Sequence, residues 1–329
     1  MTQPTDRRID RLVSLLAKNA TVVMPGAKLA DGIGVPRSTI YHWVQGLREL
    51  GVEVRGIQNN GFQLRKLPDV LVPSLISPEL GDNPIGHKII HYFRTGSTND
   101  VALSLVLEGA PHGIVVVAEE QMAGRGRFDR AWYSEKASGI YASVILRPAL
   151  APAAAPVLTL VAGLAAHHAV TEVTGLPADI RWPNDLLINR KKVCGILTEM
   201  SADIDRIHGV VLGMGLNVNH RQMPAELAAV GTSLRIEGGK TYSRVQLFVA
   251  LLKKLQHYYC LLLEGGSAAV TERWALASSY ASAKRVRVVT PSGDFLATTA
   301  GLDPGGALRV RRDNGQEEKL LAGEIVEVK

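Results

Sequence analysis

Chemistry in this chain concentrates where arginine alternates with glycine. Gln121-Met122-Ala123-Gly124-Arg125-Gly126-Arg127 is too flexible for a helix and too charged for a core strand. Such a run suits a loop that closes over an anion, because guanidinium forks grip phosphate or carboxylate and glycine lets the backbone approach. Alone, it equally fits a solvated basic loop. Other polar groups flank it in order: Ser97-Thr98-Asn99 before it, then Arg181-Trp182-Pro183-Asn184-Asp185, Lys192-Val193-Cys194-Gly195 and Gly213-Met214-Gly215-Leu216-Asn217. Arg125, Arg127 and Lys192 are cations of the kind that screen two anions forced to meet. Asp185 is a carboxylate of the kind that orients an amine or takes its proton. Each also has a plainer reading. Ser97-Thr98-Asn99 is an N-cap cluster, Lys192 a hairpin lysine, Pro183-Asn184 a turn, Trp132 a core residue, and Gly195, Gly213 and Gly215 packing glycines.

The elements that must position these groups fall into three regions. Apolar spacing at Ile9, Leu12, Val13, Leu15 and Leu16 predicts a first helix, and Ala27–Ile33 a second. Gly34 turns the chain into a third helix, opened by Pro36. There Ile40, Trp43, Val44 and Leu47 face inward and Arg37, Ser38, Thr39, Tyr41, His42, Gln45 and Arg48 are left for the outer, polar side. Asn60-Gly61 predicts a hairpin carrying Arg55 and Arg65. Residues 67–84, with four prolines, read as a linker. From 85 to 275, strands at Lys88–Phe93, Ile114–Glu119, Ile140–Leu146, Leu186–Ile188, Val193–Met200 and Val210–Leu216 alternate with helices at Asn99–Glu108, Ala154–Thr174 and Arg244–Glu264. Their tight links predict an α+β fold with a mostly antiparallel sheet. Residues 276–329 read as short strands of a small β-barrel.

Charge is unevenly placed. Residues 1–66 hold ten Lys/Arg against five Asp/Glu, a net of +5, whereas 67–329 hold 27 against 26, a net of +1. The asymmetry points to a polyanion partner for the first segment. The polar helix face suits a DNA major groove. Cys194 and Cys260 offer neither disulfide framework nor metal spacing and read as buried thiols. The N-terminal residues lack a signal-peptide apolar core, and the charge-free run from Pro148 to Thr171 reads as a buried helix, so a cytoplasmic location without membrane contact is expected. No Walker Gly-Lys-Ser/Thr signature is present.

The order of these segments resembles the biotin–protein ligases over nearly the whole chain, and Leu29 to Gly51 resembles the helix-turn-helix of members that also repress the biotin operon. The resemblance implies a winged helix-turn-helix at 1–66, a linker at 67–84, a class II synthetase-like catalytic domain at 85–275 and an SH3-like domain at 276–329. It implies ATP with Mg²⁺ and biotin as substrates, without a tightly bound cofactor, and a carboxyl carrier protein as acceptor. Homodimerisation of the adenylate-bound form and binding to operator DNA follow. By resemblance, Ser97, Thr98, Asn99 and Gln121 hold the ureido head of biotin. Gly195, Gly213 and Gly215 form a thin floor under biotin. The loop Gly124, Arg125, Gly126 and Arg127 orders over biotin and phosphates. Lys192 touches carboxylate and α-phosphate, Trp132 and Asn217 lie on the adenine side, and Asp185 acts near the incoming amine; no metal ligand is assigned. Arg37, Ser38, Thr39, Tyr41, His42, Gln45, Arg55 and Arg65 would meet DNA. The chain departs from the family at Pro36, where a capping serine is common, at Arg181, often lysine, and at Asp129, usually a small residue or glycine. A lipoate–protein ligase, a repressor with an inactive ligase domain and a ligase whose winged helix reads no DNA are the competing readings.

Overall fold

The structure is a computed structural model describing residues 3–58, 60–291 and 293–328. Helix α1 (Arg7–Lys18) starts where the Asp6 side chain accepts from Arg8 N, and it buries Leu12, Val13 and Leu16. After the short strand β1 (Val23–Met24), α2 (Gly26–Ile33) ends at Gly34 in the left-handed conformation. Helix α3 (Arg37–Glu49) buries Ile40, Val44 and Leu47. Trp43, expected inside, is only half-buried, with Arg8 above its ring. Strands β2 (Val54–Ile57) and β3 (Gly61–Leu64) pair antiparallel, and β1 adds to β3 as a third strand too short to have a sequence pattern. Gly61 already pairs with Ile57, so the turn precedes it. Asn59 lies outside the described residues.

The linker reading of 67–84 is wrong. Helix α4 (Pro73–Leu80) occupies part of it, and Val70, Leu71, Val72 and Ile76 are fully buried. Extended backbone alternates its side chains: Val70 and Val72 enter the core of the N-terminal unit, while Leu71 enters the core of the following domain. The prolines concealed this, because their local preference says nothing about which face finds a cover. The strap is fastened by buried charge. The Glu119 carboxylate accepts from Leu71 N at 2.7 Å and Arg244 at 2.7 Å, with His91 Nε2 at 3.2 Å. Arg244 also donates to Asp69 Oδ2 and Gly139 O. Thr5 Oγ1 reaches His91 Nδ1 at 2.8 Å, which ties the N-terminal arm to the same cluster.

The central sheet comprises β4 (Lys88–Tyr92), β5 (Ile114–Ala118), β6 (Gly139–Leu146), β7 (Asp179–Arg181), β8 (Asp185–Ile188), β9 (Lys191–Ala202) and β10 (Ile207–Asn217). Their spatial order is β4-β5-β6-β10-β9-β8-β7, with only β4 and β5 parallel. Helix α5 (Thr98–Leu107) covers part of one face. The long apolar helix α6 (Val157–Thr174) covers the other, with α8 (Arg244–Leu276) after the short α7 (Leu234–Gly238). Helix α8 extends past the expected Glu264, breaking direction at Gly266. Strands β11 (Ser282–Thr290), β12 (Gly293–Leu302), β13 (Leu308–Arg312), β14 (Glu317–Leu320) and β15 (Glu324–Glu327) form an antiparallel sheet ordered β14-β13-β12-β11-β15.

Burial alone would raise the Glu119 pKa, but Arg244, with His91 and Leu71 N–H, outweighs burial and holds it down to about 2 from an ordinary 4.5. The cluster therefore stabilises fully above pH 4.5, and that contribution is lost as pH falls towards 2. Glu119→Gln should lower the melting temperature at neutral pH and flatten its fall through this acid window. Parallel acid profiles for both proteins would contradict the assignment.

Candidate active site

The site lies on the sheet face that α5 leaves uncovered. Alternation decides which residues line it. Along β10, Val210, Leu212, Met214 and Leu216 enter the large core, so Val211, Gly213, Gly215 and Asn217 face the other way. Register extends this face into rows. Tyr141, Gly215, Gly195 and Asp185 share one row; Ser143, Gly213 and Leu197 share the next. The resulting cleft, about 490 Å³, is closed by the loop 124–132, by residues 223–231 and by β15.

One end of the cleft is lined by side-chain amides and hydroxyls. Gln121 Oε1 accepts from Thr98 N at 2.8 Å and Thr98 Oγ1 at 3.0 Å, and Gln121 Nε2 donates to Ser134 Oγ at 3.0 Å. Ser143 Oγ sits 2.7 Å from Thr98 Oγ1 and 2.6 Å from Asn99 Oδ1. Ser97, Thr98 and Asn99 are all buried. Such pre-set amide and hydroxyl groups can orient a neutral ligand bearing both donors and acceptors.

The other end is ionic, and a bulge builds it. Strands β8 and β9 turn through Asn189 and Arg190, both at positive φ, as two-residue hairpins require. Leu186 pairs with Cys194 but Leu187 pairs with Lys192, so Val193 is an extra residue. In unbroken register Lys192 would lie on the core face; the bulge brings it to the face of Asp185. Lys192 Nζ is 2.6 Å from Asp185 Oδ1, a charge contact off the hydrogen-bonding direction, and Arg181 donates to Oδ2 at 2.6 Å. Burial pushes the Asp185 pKa up, yet Lys192 and Arg181 more than offset this and hold the carboxyl below its ordinary value. Arg181 thus keeps a role that a lysine could also fill. Burial pushes the neighbouring Cys194 thiol up to about 12, which leaves it unreactive. Cys260, expected buried, is half-buried.

The Gly-Arg loop is ordered as a small hairpin. Trp132 N donates to Gly124 O and Gly126 N to Arg130 O. A Cβ on Gly124 would meet Trp132 O at 2.7 Å, so the hairpin can close only on glycine. The two arginines diverge. Arg125 pairs with Asp100 and Glu199, whereas Arg127 donates to Asn184 Oδ1 at 3.4 Å and Gly323 O at 3.0 Å. Phe128 and Asp129 both have left-handed φ. Asp129 thus holds a backbone conformation that glycine adopts without the steric penalty of a Cβ. The floor glycines need one correction. In this structure Gly195 and Gly215 lie under the Trp132 indole, and Gly213 lies under Asn99. The floor is thin to admit these side chains as well as any ligand.

The comparisons with known proteins agree with this geometry. Residues 92–217 match the Biotin/lipoate A/B protein ligase family, and residues 282–326 match the Biotin protein ligase C terminal domain. The "Bifunctional ligase/repressor BirA" of Bacillus subtilis (strain 168) is 34% identical over 318 residues, covering 95% of this chain and 97% of that protein. The chain belongs to the biotin protein ligase family. The "Biotin--[acetyl-CoA-carboxylase] ligase" of Mycobacterium tuberculosis is 32% identical, covering 79% of this chain and 98% of that one. The biotin protein ligase of Aquifex aeolicus in complex with biotin and ATP aligns at TM-score 0.64 and 27% identity, over 74% of this chain and 99% of that chain.

In this biotin protein ligase every expected ligand-contacting residue lies along the cleft: Ser97, Thr98, Asn99, Gln121, Arg125, Gly126, Arg127, Trp132, Lys192, Gly195, Gly213, Gly215 and Asn217 line it, with Asp185, while Gly124 closes the loop base. Sequence reasoning missed Asp100, Ser134, Ser143 and Glu199. Ser143 did carry a signal, as a small hydroxyl residue in a mostly apolar strand. Trp132 Nε1 and Asn217 Oδ1 are buried without a hydrogen-bond partner, so the cleft holds polar capacity for a ligand. A Cβ on Gly215 would fall 2.4 Å from Trp132 Cε2. Gly215→Ala should therefore expel the indole and shift Trp132 emission to the red, read against a Trp132→Phe blank. An unchanged spectrum in a folded variant would contradict the packing.

Proposed function

We propose that this ligase activates biotin with MgATP to biotinyl-5'-adenylate and transfers biotin to a lysine of a biotin carboxyl carrier protein. The observation that carries the reading is the juxtaposition of a neutral polar pocket at Ser97–Asn99 and Gln121 with the Lys192–Asp185–Arg181 cluster, across one glycine floor. A ligand with a ureido head and a carboxylate tail fits that polarity. In the first step the biotin carboxylate attacks the α-phosphorus and pyrophosphate leaves. Two anions must meet, and Lys192 and Arg127 supply the cations that screen them. Among the described residues no cluster of three metal-ligating side chains occurs, and Asp185 is already paired. Mg²⁺ would enter on the nucleotide phosphates, as part of the substrate. Trp132 and Asn217 offer their unpartnered atoms on the adenine side. In the second step the carrier lysine amine attacks the acyl carbon, AMP leaves, and Asp185, kept ionised, orients the amine or accepts its proton. Biotin is favoured over lipoate because a ureido head can add hydrogen bonds to the Gln121–Thr98–Ser134 network, whereas a dithiolane offers it no donor and no strong acceptor.

Lys192→Ala should lower single-turnover adenylate formation by about 10²–10³, the usual effect of removing one charge-stabilising donor. Incubation with ATP, Mg²⁺, carrier domain and either biotin or lipoate, read by mass spectrometry, tests the whole reading. Rates within a few-fold of wild type for Lys192→Ala would remove it from the mechanism.

The N-terminal unit is read as a winged helix that binds operator DNA as an adenylate-loaded homodimer in the cytoplasm, which would repress biotin genes. Support comes from the net charge of +5 on residues 1–66 and from α3, where Arg37, Ser38, Tyr41, His42 and Gln45 are exposed and Thr39 half-buried. Arg55 and Arg65 are exposed on and beside the hairpin. Two such helices at fixed spacing would read paired half-sites. Deleting residues 1–66 is an unsuitable test, since it would strip the cover from Val70 and Val72. Arg37→Ala should instead weaken binding to biotin-gene promoters without changing ligation, and affinity should fall with salt at a slope of roughly −0.9 per phosphate neutralised. No protected promoter site at saturating adenylate would leave a ligase only.

A further inference from the structure

Arg125 and Arg127 sit two positions apart on one hairpin, yet they meet opposite surroundings. The Arg125 guanidinium lies 2.5 Å from Asp100 Oδ1 and 3.2 Å from Glu199 Oε1. Asp100 is in the first turn of α5, directly after the Ser97–Asn99 pocket. Glu199 is on β9, where it also accepts from Asn99 Nδ2 at 2.6 Å. One cation is thus bracketed by two carboxylates, and that corner of the cleft has no spare positive charge for an anion. Arg127 instead reaches Asn184, beside Asp185.

We infer that Arg125 is a positioning residue, a latch that pins the Gly-Arg hairpin to Asp100 and Glu199 over the neutral end of the site, and that it does not hold phosphate. The inference rests on the biotin reading above and refines it. Closure over an uncharged ureido head calls for a tether whose charge is already neutralised. Closure over the carboxylate and phosphates calls for a cation that two carboxylates do not bracket. That falls to Arg127, which donates to the neutral acceptors Asn184 Oδ1 and Gly323 O, beside Lys192, which shares the single carboxylate of Asp185 with Arg181.

The two roles predict opposite signs. If Arg125 held the phosphate, Asp100→Asn would release it from a competitor, and bound adenylate would leave more slowly. A latch loses part of its receptor instead. Adenylate should then leave about two- to fivefold faster, the effect of one partly exposed ion pair. In the empty full-length protein, trypsin should also cut after Arg127 and Arg130 faster, by a similar factor, while the melting temperature is unchanged. Arg125→Asp combined with Asp100→Arg should recover protection at Arg127 relative to Arg125→Asp alone, because the charges then exchange places. Unchanged tryptic cleavage, slower adenylate release or no recovery in the exchanged pair would overturn the latch. Failure of the wild-type protein to form any adenylate would overturn the biotin reading instead, since the tryptic arm needs no ligand.

Discussion

The fold depends on one buried charge cluster. Glu119 and Arg244 are both removed from water, where an unpaired charge would be prohibitive, so each commits the other to its place. Around them converge the strap through Asp69 and Leu71, the end of β5, the start of α8, Gly139 at the start of β6, and the N-terminal arm through His91. Gln121, which sets up the polar pocket, is two residues beyond Glu119. The N-terminal unit and the ligand pocket are therefore anchored on the same carboxylate. A strap that alternates Val70, Leu71 and Val72 between two cores leaves little freedom for one unit to swing against the other.

Within that frame the site is made by two departures from regular sheet. The extra residue Val193 turns Lys192 to the face of Asp185. Without it, a lysine and a carboxylate on opposite faces could not act on the same atoms. Glycine at 195, 213 and 215 lowers the sheet surface along two rows, so that Asn99 and Trp132 can lie directly on backbone. Both are local defects by the standards of strand stability, and both sit where ligand chemistry needs depth and aim.

Much of this was legible from the sequence. The apolar spacing of α1 and α3 and the charge-free run of α6 placed those helices, and the Gly-Arg run, Lys192 and Asp185 were recognisable from residue types in order. What escaped had no local signature. Strand β1 is two residues long and exists because β3 offers an edge. The strap at 70–72 reads as loop because its prolines advertise turns, while its burial depends on two cores distant in sequence. Asp100 and Glu199 look like ordinary surface carboxylates until the sheet brings them to Arg125. Register created the Lys192–Asp185 pairing, and no spacing rule along one strand predicts a bulge.

The hairpin's remaining anchors lie far along the chain. Arg130 pairs with Glu324, and Arg127 donates to the Gly323 carbonyl, a contact spanning 196 residues. Loop closure of that length carries an entropic cost that only completed neighbouring structure can repay. The loop can gain these contacts only once residues 323 and 324 are in place beside it. A nascent chain still lacking that strand would hold its polar pocket and its lysine but would leave the hairpin fastened at one side, so assembly order itself would delay the moment at which the cleft can retain a reactive intermediate.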